Sequence, residues 1–128
     1  MMCAERNKIS RNEPKHIKLA EILIQGTELH RDSKFIGPQL VVGTFSLTIS
    51  ERDGKKFKGV YAASSQTADG PGLNVEVEGL ITGDRIRFVS INSARNIVVI
   101  GGRKGEALQM QFTNELNHKY ALSVKLPL

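Results

Sequence analysis

Residues 45–61 read FSLTISERDGKKFKGVY. Phe45, Leu47 and Ile49 alternate with Ser46 and Thr48; Asp53-Gly54 interrupts the run; Phe57, Gly59 and Tyr61 then share one parity on the far side. A side-chain period of two means a strand with one buried and one wet face. Asp-Gly between two such runs signals a hairpin, because both residues accept positive φ at low cost. The alternation returns in Leu73, Val75 and Val77, in Leu108, Met110 and Phe112, and in Tyr120, Leu122, Val124 and Leu126. One-sided strands of this kind belong to antiparallel sheets.

Working outward, strands are expected over 39–50, 56–63, 73–81, 84–92, 96–101, 106–113 and 119–126, with a short segment at 35–38 that could begin the sheet. Gly83-Asp84 and Gly101-Gly102 read as further turns, and 114–118 as a short link. The fold class is mostly β: an antiparallel up-and-down barrel of seven or eight strands with a short N-terminal helix, a sandwich being the other way to close the sheet. Residues 1–12 read as a flexible tail, 13–34 as the short helix and a polar connector, and 35–128 as the barrel. For the helix, Asn12 suits the N-cap, Pro14 the first turn and Gly26 the C′ position, with Ile17, Ala20, Leu23 and Ile24 as the apolar stripe. Ile22, Leu23 and Ile24 also suit a strand, so both readings stay open.

The composition is that of one globular domain of 128 residues, able to bury a core without staples. Net charge is +5, but the excess is dispersed: residues 1–34 hold seven Lys/Arg against five Asp/Glu, and 35–128 hold eleven against eight. A nucleic-acid binder concentrates its cations in a stripe or run. Lys55-Lys56 falls short of one, so nucleic acid is not an expected partner. A single cysteine, Cys3, can form no disulfide within the chain. With no apolar leader and no apolar stretch of membrane-spanning length, a cytoplasmic location and no membrane partner are expected.

Nothing in the chain assembles a reaction centre. His16, His30 and His118 are scattered and lack partners at metal-ligand spacing, so neither a metal nor a cofactor is expected. Ser64-Ser65 lacks a nucleophile elbow. The run GGRKG at 101–105 is followed by a strand rather than the helix a phosphate loop needs, and reads as a turn bearing two exposed cations. The chain is therefore expected not to be an enzyme. Glu76 and Glu78 are expected to face Arg85 and Arg87 across the turn at Gly83. Between Phe88 and Ile100 apolar residues occupy both parities. Val89, Ile91, Val98 and Ile100 should therefore be covered, by the N-terminal helix or by a second subunit of a homo-oligomer.

The run GTFSLTISERDGKKFKGVY, 43–61, resembles the start of the avidin and streptavidin family of up-and-down barrels, through Gly43-Thr44, Asp53-Gly54 and Gly59-Val60-Tyr61. The polar stretch SSQTADGPG, 64–72, resembles the loop that family places at the barrel mouth. The likeness extends over about forty residues of common turn and strand types. It implies that Thr44 and Tyr61 supply hydroxyls to a ligand at the mouth, beside Ser64, Ser65 and Thr67 of the loop. The family's pocket is walled by tryptophans, and this chain has none. Ala63 replaces an expected hydroxyl, and strand parity turns Thr44 outward unless a bulge intervenes. The expected function is thus non-catalytic binding of a small, largely apolar ligand at the mouth, without tight biotin binding. The alternative is a protein-interaction or structural module, a homo-oligomeric barrel whose interior is filled by side chains.

Overall fold

The computed structural model describes residues 17–65 and 73–127. A one-turn helix, α1 (Leu19–Ile22), precedes eight strands: β1 (Glu28–Ile36), β2 (Leu40–Asp53), β3 (Lys56–Ser65), β4 (Leu73–Thr82), β5 (Arg85–Ile91), β6 (Val98–Lys104), β7 (Ala107–Thr113) and β8 (Lys119–Lys125). Each strand pairs antiparallel with the next, and β8 returns to β1, closing an up-and-down barrel in strict chain order. The alternation that predicted the sheet assigns its inner face correctly. Phe45, Leu47, Ile49, Val77, Leu108 and Val124 are all buried.

Tight turns set the pairing. Asp53 pairs with Lys56, Thr82 with Arg85 and Lys104 with Ala107, so two residues remain for each turn. Gly54, Gly83 and Gly105 hold the positive φ those turns require. The third turn corrects the expectation of one at Gly101-Gly102. Both residues lie inside β6, where a side chain on Gly101 would collide with Met110 Cγ and the Gln109 carbonyl, each 2.5 Å from an ideal Cβ. GGRKG consequently comprises the last four residues of a strand and the first residue of the turn, Gly105, and Arg103 in it is half-buried.

Two further expectations give way. Residues 28–34 are strand, not connector, because β1 must complete the closure. Its inward residues Leu29, Arg31, Ser33 and Phe35 are half polar, which hides the period. The charge ladder is also displaced: Glu76 lies opposite Ile91, Glu78 opposite Val89, and Arg87 opposite Leu80. A two-residue turn at Gly83 places the glutamates too far from the turn to meet Arg85 and Arg87. Glu78 instead faces Lys58 on β3.

The helix seals one end of the barrel, contrary to the idea that it covers an outer face. Leu19 and Leu23, one turn apart, are fully buried, whereas Ile17 and Ile24 of the expected stripe are exposed. Asn12 and Pro14 lie outside the described residues. Two charged side chains hold the plug at its ends. The Leu19 N–H donates to Asp84 Oδ1 at 3.0 Å, and the Ala20 N–H to the Gly83 carbonyl at 2.8 Å. Arg52 Nη1 donates to the Ala20 and Leu23 carbonyls at 2.9 and 2.7 Å, and its Nε to the Gly54 carbonyl at 2.7 Å. Four residues cannot sustain a helix in water, so tertiary anchoring supplies the stability that helix propagation does not. Arg52→Ala should cost about 2 kcal/mol, the range for hydrogen bonds to a charged group. Thermal denaturation would register this as a lower Tm, and hydrogen exchange should accelerate at the amides of Ala20 and Leu23.

Candidate functional site

At the end opposite the plug the wall opens into a cleft of about 190 Å³. Its apolar lining comes from Phe35 on β1, Val41 on β2, Ala63 on β3, Leu73 on β4 and Phe112 on β7. Tyr120, half-buried on β8, stands against Phe112 with ring centroids 6.1 Å apart, and Phe35 meets Phe112 edge-on at 6.4 Å. The cleft therefore has an aromatic wall, and Ser64, Ser65, Arg95 and Asn114 lie around it.

Two loops are ordered by their own side chains. Asn114 Oδ1 accepts the N–H groups of Leu116 and His118 at 3.0 and 2.9 Å, fixing the turn between β7 and β8. Ser90 Oγ donates to the Arg95 carbonyl at 2.6 Å and accepts the Ile97 N–H at 2.9 Å, bracing the loop between β5 and β6. Arg95 then reaches Glu115 with both Nε and Nη2 in a bidentate pair. The shared hydrogen bond raises the Arg95 pKa and lowers that of Glu115. This pair joins two loops of the mouth.

Below the cleft the barrel is full. Tyr61 is completely buried, its ring centroid 5.5 Å from those of Phe45 and Phe88 and 5.9 Å from that of Phe112. An eight-stranded barrel encloses about the volume its side chains fill, and the aromatic rings occupy it here. Among the described residues the Tyr61 hydroxyl has no hydrogen-bond partner. Desolvation pushes its pKa well above the ordinary phenol value, so it stays protonated.

Of the expected site residues, Ser64 and Ser65 border the cleft, whereas Tyr61 and Thr44 do not line it. Tyr61 lies in the layer beneath the cleft, while Thr44 stands on the outer wall, where its Oγ1 shares a hydrogen bond with Ser64 Oγ. Ser64 is therefore committed outward even though it borders the cleft, and Ser65 sits half-buried at the rim. Thr67 lies outside the described residues. Phe35, Phe112 and Tyr120 were not anticipated as site residues. The signal for two of them was present: Phe112 and Tyr120 are inward aromatics on either side of the 114–118 link, opposite one another in the register. Of the expected outer surface, Val89, Ile91 and Val98 are half-buried by their neighbours, Val89 pairing with Val98, and Ile100 is 47% exposed.

Among the described residues no group of three or more His, Cys, Asp or Glu could hold a metal ion, and no helix is long and apolar enough to cross a membrane. The chain matches no protein-family model, no curated protein and no solved structure.

Two measurements probe this site. Tyr61→Phe removes a buried hydroxyl that satisfies nothing, so its Tm should equal or exceed that of the parent protein. For Glu115 the depressed folded pKa means that its pairing stabilises above the unfolded carboxylate value and fades as pH falls through the lower folded one. Acidification should therefore free the loops near Arg95 and Asn114 before the core melts. Amide chemical shifts would follow this opening, and Glu115→Gln should reproduce it at neutral pH at a cost below about 1 kcal/mol.

Proposed function

We propose that the protein binds a small, largely apolar ligand in the mouth cleft and performs no chemistry on it. The observation that carries this reading is the aromatic wall of Phe35, Phe112 and Tyr120 around a space left open above a filled interior. Apolar lining with a few polar groups at the edge is the usual constitution of a small-molecule site. At about 190 Å³ the cleft is smaller than drug-sized pockets of roughly 300–1,000 Å³. That favours a ligand of about one aromatic ring; a cavity of about 150 Å³ lined by such side chains admits benzene.

The avidin-like resemblance enters this proposal only through the place of binding, the mouth of an up-and-down barrel. Phenylalanines and a tyrosine in place of tryptophans, and Thr44 on the outer wall, support a ligand other than tightly held biotin.

A second reading, an interaction module that self-associates through its outer wall, draws on exposed Ile36, Leu40 and Ile100. Ile36 lies opposite both Leu40 and Ala121, Ala121 opposite Gln111, and Gln111 opposite Ile100, so these side chains form one row around the wall. The expected interface at Val89, Ile91, Val98 and Ile100 would thereby move toward Ile36.

The mouth reading is tested by ¹⁵N chemical-shift titration with benzyl alcohol, a ligand of one aromatic ring. Saturable binding is expected, with Ala63→Trp, which fills the cleft from a half-buried position, abolishing it. Unaltered binding to Ala63→Trp would contradict the proposal. A dimer in native mass spectrometry that Ile36→Lys dissociates would favour the second reading.

A further inference from the structure

The barrel is poorly closed at one place. β1 and β2 pair over nine positions and β7 and β8 over seven, but β8 and β1 register only at Ile36 opposite Ala121. Among the described residues no other ladder pair joins these two strands. They are also tied by a side chain, Arg31 Nε donating to the Lys125 carbonyl at 2.9 Å. Between these two ties lies a lateral groove of about 960 Å³, several times the volume of the mouth cleft.

The origin of the groove is legible in the side chains. β8 presents only Ala121 and Ser123 on its outer face here, between Ile100 on one flank and Lys34 and Ile36 on the other. From β6 to β1 is three strand spacings, roughly 14 Å, and the short side chains leave the middle of that span unfilled. Met110 and Leu122, inward-facing residues, line it at the seam, and Ser33 lies with them. Ser33 is only 7% exposed, and its hydroxyl has no hydrogen-bond partner among the described residues. Among the described residues it is the sole buried polar residue of a core otherwise made of apolar side chains and Tyr61. Burying a hydroxyl without a partner is unfavourable, and here the residue that carries it borders the groove.

We propose that this seam is a second binding site, separate from the mouth, for a linear amphiphile. The apolar tail would lie along β8 between Ile100 and Ile36, and an oxygen-bearing head would take the hydrogen bond of the Ser33 hydroxyl. Residues 32–36 run for about 14 Å along the groove, which suits an extended chain rather than a compact ring. Lys34 and Asp32 flank Ser33 on the outer face, so both a carboxylate and a neutral alcohol meet the shared requirement for an oxygen acceptor. The proposal does not depend on the mouth reading, since the two clefts share no lining residue.

The test is titration of the ¹⁵N-labelled protein with sodium decanoate and, separately, 1-decanol, both below their aggregation limits. Saturable shifts are expected at Ser33, Gln111 and Ala121 to Ser123, with little change at Ala63, Leu73 and Asn114. Ser33→Ala should weaken binding about five-fold, the order of one hydrogen bond. Ala121→Trp, on the exposed face and outside the core, should abolish it. A preference for decanoate would assign the head to a carboxylate, and equal affinity to a neutral oxygen; either agrees with the proposal. Shifts confined to the mouth, no saturable shifts, or binding unchanged in Ala121→Trp would overturn it.

Discussion

Packing around the Tyr61 ring is the interaction on which the rest of this structure depends. Phe45, Phe88 and Phe112, from strands far apart in the chain, meet it edge-on or tilted, in the geometry aromatic pairs prefer. Because a barrel has a single interior, each strand must turn the correct parity toward this cluster, and a slip of one residue would send its apolar set outward. The two-residue turns at Gly54, Gly83 and Gly105 hold the parity in place. With the middle filled, the mouth cleft and the lateral groove lie at an end of the barrel and along its seam.

Those places are treated differently. One end is stoppered by Leu19 and Leu23, with Arg52 and Asp84 holding the single helical turn by its backbone. The other end stays open above Phe112, bordered by loops tied through Arg95 and Glu115. The third place is the seam between β1 and β8, where one registered pair and one arginine do the closing. The proposed binding role draws on these margins, while Tyr61 and its aromatic neighbours occupy the middle of the barrel.

How far the sequence could be read follows the same physics. Strands β2, β4, β7 and β8 alternate cleanly, and their inward residues are buried as predicted. β1 escaped because Arg31 and Ser33 break its apolar face, and a strand that completes a weakly closed seam has less need of one. Register failed across Gly83 because charge complementarity was allowed to choose partners that the turn length had already decided. At the site, parity alone turned Thr44 outward. No local signal could bring Phe35, Phe112 and Tyr120 to one cleft, since they converge only when β1 meets β8. Arg95 was equally hidden, in a loop placed by Ser90.

The central claim is that small apolar molecules enter above Phe112 and stop there. A ¹³C-filtered NOE experiment on the protein saturated with toluene examines it most directly. The account predicts contacts from toluene to the methyl groups of Val41 and Leu73, and none to Val77 or Ile81 deeper in the barrel. Contacts to those deeper methyls, or no contacts at the mouth, would contradict it.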